Sequence, residues 1–216
     1  MRYLLDQPVV VLGLAAQHVW LTAVALTLAL VVALPLGVLA ARRPRVRGPL
    51  LGVLGMIYTI PSLALFVLLI PLMGLGFGPA LTALVAYAQV ILVRNVTVGL
   101  LGVDAGVLEA ATGVGMTGWQ RLWRVELPLA LPVILAGVRV AVLAIIGIGT
   151  VAAFINAGGL GTLLFMGVAQ SHPDKIIAGA LAVSALALTA NALIRTVERR
   201  AGRALRGFEK ADLILR

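Results

Sequence analysis

Five long apolar stretches, near residues 19–41, 50–73, 78–99, 127–153 and 175–196, leave this chain little to fold into except a bundle of membrane-spanning helices. Each stretch is close to or above the ~20 residues a helix needs to cross ~30 Å of hydrocarbon. Inside hydrocarbon a backbone must satisfy its own hydrogen bonds, and a helix does so within a single segment. Composition agrees: 62% of the 216 residues are hydrophobic, 12% are charged, and the mean hydropathy is +1.11. An all-α integral membrane protein of about five spans follows, with no length to spare for a soluble domain. Asp6 and Gln7 interrupt the short apolar run at the start, so residues 1–18 are predicted to be an extracytoplasmic lead-in helix rather than a cleaved leader.

Charge placement orients the spans. Arg42, Arg43, Arg45 and Arg47 crowd residues 42–49 without an acid. Arg121 and Arg124 lie between the third and fourth runs. Arg195, Arg199, Arg200, Arg203, Arg206, Lys210 and Arg216 follow the fifth. The loops near 74–78 and 154–174 carry no arginine or lysine before Lys175. The positive-inside rule then puts the N-terminus outside and the basic tail, 197–216, in the cytoplasm, which requires an odd number of spans. It also accounts for the net charge of +9. The basic residues alternate with apolar runs instead of lining one face, which argues against nucleic acid as a partner.

Catalytic chemistry finds little to work with. There is no cysteine, hence no disulfide framework or thiolate metal site. His18 and His172 both fall near the outer surface, and no metalloprotease, carboxylate-pair or nucleophile-elbow pattern is present. Lys175 and Lys210 follow Asp174 and Glu209, so no Gly-Lys pair of a phosphate-binding loop exists. The chain is expected to be neither an enzyme nor a cofactor binder; any ATP and Mg it depends on belong to another subunit.

Within the spans, Pro61 in IYTIPSLALF removes a helix hydrogen bond and predicts a kink, with Thr59 and Ser62 placed to satisfy the freed backbone. The kink reads either as packing curvature or as a bend lining a transport path. Gly147, Gly149 and Thr150, and Gly179 between Ala178 and Ala180, offer small-residue surfaces for close helix approach. Arg139 is the one basic residue read as well inside a span, about 16 Å beyond Pro128 at ~1.5 Å per residue. It reads equally as an anchor to carbonyls or an acid of a neighbouring helix, or as part of an inward-facing cavity. After the fourth run, Asn156 leads into Gly158-Gly159-Leu160-Gly161, a flexible turn, and residues 162–169 form a short surface helix. Thr59, Pro61, Ser62, Arg139, Thr150 and Asn156 are therefore the candidates for a translocation path or gate.

The polar island Glu109 to Pro128, EAATGVGMTGWQRLWRVELP, sits in the loop of about 102–126. Ala110, Ala111 and Thr112 suit a short helix, Asp104 and Glu109 complement its N-terminal side, and Gly113 and Gly115 can end or bend it. Trp119 and Trp123 share a helix face suited to the headgroup region. Glu109-Ala110-Ala111, three residues, Gly115, nine residues, Val125, one residue, Leu127-Pro128 resembles the signature loop of permease subunits of type I ABC importers, with valine in place of isoleucine. The segments IYTIPSLAL, LVRNVTVGL and AAFINAGGLGTLLFMG are similar to the osmoprotectant subfamily, which imports glycine betaine, carnitine, choline or related quaternary amines. The resemblance runs from about residue 19 to 190. Asn156 stands where that subfamily has glycine, and Val103-Asp104-Ala105 where it has Asp-Pro.

The resemblance implies the five-span type I ABC importer fold in a bacterial or archaeal cytoplasmic membrane. It makes the island a coupling helix, with Glu109, Ala110, Ala111, Gly115, Leu127 and Pro128 as its ATPase-coupling residues. It also implies partners: a cytoplasmic ABC ATPase dimer, a second permease subunit, identical or homologous, and a separate extracytoplasmic substrate-binding protein. A methionine or other small-solute ABC permease is the nearest alternative, and a channel or secondary transporter working without an ATPase is a distant one. Aromatic residues make up only 5% of the chain and are scattered, so no cation–π cage for a quaternary amine can be assembled from the sequence.

Overall fold

The structure is a computed structural model that describes residue 3 and residues 6–214, with side chains described as far as Gly202. Of the expected lead-in, residues 1, 2, 4 and 5 lie outside the described residues, as does Arg216 of the basic tail. Helices α1 (Pro8–Arg42), α2 (Pro44–Thr59), α3 (Ser62–Met73) and α4 (Phe77–Leu101) are followed by the short α5 (Ala105–Gly113) and α6 (Gly118–Arg121). A π-turn, Leu122–Glu126, joins α6 to α7 (Leu127–Ala152), which tightens into a 3-10 turn at Ala153–Ile155. The short α8 (Gly161–Ala169) and the long α9 (Pro173–Ile214) complete the chain. No strand occurs among the described residues.

Among the described residues, four continuous helical segments are long and apolar enough to cross a membrane, and α2 and α3, bent by 94° at their break, make a fifth when taken as one span. The bent pair does run end to end. Its start at Pro44 lies two residues past Arg42, while Gly76, just beyond its end, donates its N–H to the Ile155 carbonyl at 2.8 Å at the far end of α7. The first span differs from expectation. Pro8 pre-sets the first helical turn and nothing interrupts the helix before Arg42 except the tolerated Pro35, so residues 8–18 continue the span instead of forming a separate element.

Helix α4 is the centre of the bundle, with α1 on one side and α7 on the other. On α1, Ala25, Ala29, Ala33 and Gly37 recur every fourth residue and are buried. They pack with Leu84, Ala88, Leu92 and Val93 of α4. A Cβ at Gly37 would come within 2.5 Å of the Val96 Cβ, and one at Gly137 on α7 would collide with Asn95. Lipid is as apolar as leucine, so close packing and interhelical hydrogen bonds must hold such helices together. Gln89 accordingly donates to the Ala29 carbonyl at 3.2 Å, and Thr97 to the Gly37 carbonyl at 3.3 Å. Among the glycines expected at helix contacts, Gly149 meets His18 and Gly179 meets Leu163 and Leu164, but Gly147 faces open space. Because α4 extends to Leu101, the exposed Arg94 is a second basic residue inside a span, about 10 Å from its end by helical rise.

Candidate functional site

The polar island folds as the residue types direct. Asp104 caps α5, its carboxylate accepting from the Val107 N–H at 3.2 Å, which gives the Val103-Asp104-Ala105 departure a local purpose. Only Ala111 of α5 is buried; Glu109, Ala110 and Thr112 are exposed, and Leu108, Glu109, Thr112, Gly113 and Arg121 line a shallow cavity of about 330 Å³. Gly115 sits at φ +83°, where an L side chain is strained, with no atom of this chain near its Cβ position. Thr117 and Gln120 then form a reciprocal capping box that starts α6.

Glu126 lies at the end of the π-turn and is buried, 7% exposed. Arg121 Nε donates to its carboxylate at 2.8 Å, and Arg42 Nη2, from the end of α1, donates to both oxygens at 3.3 and 3.4 Å. Arg42 also reaches the Gly118 carbonyl at 3.2 Å, and Arg121 Nη1 donates to the Thr112 hydroxyl at 3.0 Å. One carboxylate thus joins the end of α1, the start of α7 and, through Arg121, helix α5. Leu127 and Pro128 follow directly as the first residues of α7. Trp119 and Trp123 do share a face, edge to face at 5.5 Å, and both are exposed. They line an apolar groove of about 590 Å³ against Val31, Leu34 and Pro35 of α1.

The path candidates fall into three separate places. At the break, Ile60 is extended, at φ −66° and ψ 129°, as the residue before proline must be. The Ile57 carbonyl that Pro61 cannot serve takes the Ile60 N–H at 3.2 Å, and Thr59 bonds the Met56 carbonyl at 2.7 Å. The Ile60 carbonyl, at the break itself, accepts from the Tyr87 hydroxyl of α4 at 2.6 Å. Ser62 only begins α3. A 94° break is far sharper than packing curvature.

Arg139 has found an acidic partner on a neighbouring helix, Glu198 of α9, with Nε to Oε2 at 3.2 Å. Beside the pair lies a polar cavity of about 520 Å³ lined by Pro132, Arg195 and Arg199, so both readings of Arg139 have a physical counterpart.

At the opposite end, Thr150 turns its hydroxyl to the Ile146 carbonyl of its own helix at 3.0 Å. Asn156 has φ +63°, a left-handed conformation that asparagine and glycine tolerate best, which explains why it can stand in a glycine position. The Gly-Gly-Leu-Gly turn is not the flexible element expected. Leu160 is buried, the Gly159 N–H donates to Gln17 at 3.2 Å, and His18, 1% exposed, bonds the Ile146 carbonyl at 3.1 Å. Helix α8 is the short helix expected over 162–169: Gly161, Leu163 and Gly167 bury one side of it, and Phe165, Met166 and Val168 stay exposed on the other.

Sequence reasoning missed Arg42, Glu126, Tyr87, Glu198 and Gln17. Arg121 and Glu126 are five apart, a spacing that does not pair on an α-helix, and the other partners lie far away in the chain. Among the described residues no cluster of histidine, aspartate or glutamate has metal-binding geometry.

Comparison with known proteins fits this architecture. Residues 33–203 match the family described as binding-protein-dependent transport system inner membrane component. The chain is 44% identical to the osmoprotectant import permease protein OsmW of Salmonella typhimurium over 202 residues, 91% of this chain and 94% of that one. It is 39% identical to the glycine betaine/carnitine/choline transport system permease protein OpuCB of Bacillus subtilis, over 85% of each chain. In fold it resembles chains of the MetNI methionine ABC transporter in inward facing conformations. One superposes with a TM-score of 0.81 at 21% identity, covering 91% of this chain and 98% of that chain. With a family model matched over residues 33–203, relatives at 39–44% identity over most of their length and an all-helical bundle with a broken second span, the chain belongs to the binding-protein-dependent transport system inner membrane components, the permease subunits of ABC importers.

Proposed function

We propose that this permease carries a small osmoprotectant of the quaternary amine type, such as glycine betaine, choline or carnitine, across the membrane, driven by a separate ATPase. The cargo reading is supported by the relatives above, named for osmoprotectant, glycine betaine, carnitine and choline transport and matched over most of their length. The arginine-rich end, with Arg42, Arg43, Arg45 and Arg47, is cytoplasmic, and the N-terminus is outside.

The observation that carries the coupling mechanism is the geometry of α5. It is a short, exposed, capped helix whose Thr112 is tied through Arg121 and Glu126 to the ends of two spans. In this reading α5 seats in a groove of a cytoplasmic ATPase dimer through its exposed Glu109 and Ala110, while the buried Ala111 faces the rest of the permease and the bend at Gly115 sets the angle of the helix. Leu127 and Pro128 begin the lever that moves. ATP and Mg are held by the ATPase. Two permease subunits enclose the path, and a separate extracytoplasmic binding protein delivers cargo to the end that carries Asn156. The break at Thr59, Pro61 and Ser62, with Thr150 and Asn156, provides the candidate gate, and Arg139 with Glu198 anchors α9 to α7 beside the inner cavity.

The test is reconstitution of this chain with its ATPase and binding protein in liposomes loaded with ATP. Uptake of labelled glycine betaine, choline or carnitine that stops without internal ATP is the expected result. Uptake of methionine alone overturns the cargo reading, and uptake that persists without the ATPase overturns the mechanism.

A further inference from the structure

The spacing of Arg121 and Glu126 carries more than an ion pair. On an α-helix residues five apart point about 140° away from each other. The i to i+5 pattern of a π-turn brings them onto one face instead. Residues Leu122–Glu126 form such a turn, closed by the Leu127 N–H on the Leu122 carbonyl, and only there does Arg121 reach Glu126 at 2.8 Å. The turn and the pair require each other. Without the turn the carboxylate would rotate away from Arg121, and without the pair a carboxylate with 9% of its side chain exposed would lack its nearest counter-charge. Relaxing one π-turn to an α-turn would also rotate the flanking helices relative to each other by about 100°, one residue's share of the helix.

We infer that Glu126 and Arg121 are positioning residues for energy coupling. They hold the π-turn so that a displacement of α5 is delivered to α1 and α7 together. This rests on the reading of α5 as the ATPase-docking helix. The connection from α5 to α6 is by itself a poor transmitter, because it runs through Gly113 and Gly115, neither of which has an atom near its Cβ position. The hydrogen-bonded route bypasses it: Thr112 hydroxyl to Arg121 Nη1 at 3.0 Å, Arg121 Nε to Glu126 at 2.8 Å, and Glu126 to Arg42 at 3.3 Å. Arg121 uses two different nitrogens for its two partners. A lysine, with one point charge, cannot span them.

The experiment uses the full complex in liposomes and reads two quantities, co-purification of the ATPase and cargo transported per ATP hydrolysed. Glu126→Gln and Arg121→Lys are expected to keep the ATPase bound while that ratio falls by about tenfold, the scale of one lost charge-assisted hydrogen bond. Thr112→Ala, an exposed change, lowers the ratio in the same direction. If Glu126→Gln fails to assemble, the other two variants decide. A wild-type ratio in Arg121→Lys and Thr112→Ala overturns the inference while leaving docking at α5 in place. Glu109→Lys that retains the ATPase at a wild-type ratio removes the docking reading and this inference with it.

Discussion

The hydroxyl of Tyr87 donates to the carbonyl of Ile60 at 2.6 Å, joining the central helix α4 to the extended residue that breaks the second span. Proline explains why the helix stops; this bond explains how the break is held in an environment where an unpaired carbonyl costs several kcal/mol. Tyr58 packs edge to face on the same ring at 5.8 Å, so the tyrosine both supports and satisfies the break.

Tyr87→Phe keeps the ring and removes the bond. Because the Ile60 carbonyl is left without that donor, unfolding of the purified protein in detergent should shift to lower temperature, by a stability loss of about 1–3 kcal/mol. A midpoint equal to wild type would mean that water or lipid headgroups satisfy the carbonyl instead.

Two glycines separate packing from propensity. Gly37→Ala places a Cβ against Val96, between the two helices of the core, and should cost about 1–3 kcal/mol as an overpacked contact. Gly147→Ala meets no atom within 4 Å of its new Cβ and should be neutral or slightly stabilising, by up to ~1 kcal/mol of helix propensity. Thermal unfolding of the two variants side by side checks the ordering; equal effects would contradict the close approach of α1 and α4.

At Asn156 the left-handed backbone, φ +63°, makes the side chain's branching decisive. Asn156→Gly should be tolerated, whereas Asn156→Val should cost about 1–2 kcal/mol and loosen the turn that holds Ala157 and Gly159. Hydrogen exchange at the Gly159 amide, which donates to Gln17, reports the loosening directly.

Glu109→Lys and Gly115→Trp should insert normally, since both positions are exposed and outside the packed spans. In the full complex they should suppress ATP-driven transport and cargo-stimulated ATP hydrolysis. The Gly115 variant carries backbone strain at φ +83° in addition to bulk, of about 1–2 kcal/mol. Unchanged coupled hydrolysis in both would end the assignment of α5 as the docking helix.

Much of the fold was written in local signals. Five apolar runs fixed the number of spans because hydrocarbon admits few other solutions, and Pro61 marked the break because it lacks an N–H. Asp104 and Glu109 marked the N-terminal side of α5, and the spacing from Glu109 to Pro128 pointed to the family. What the tertiary structure alone decided is which distant groups meet. The partners of Ile60, Arg139, Gly159 and Glu126 come from Tyr87, Glu198, Gln17 and Arg42, residues 27 to 142 positions away. No periodicity or propensity encodes a pairing across such distances, because it arises only when packed helices bring polar groups together where no water competes. The π-turn at Leu122–Glu126 is the clearest case. The sequence places these five residues in a loop with nothing to mark a π-turn, and in the fold Arg42 and Arg121 pair with the buried Glu126 at the joint between that loop and the spans.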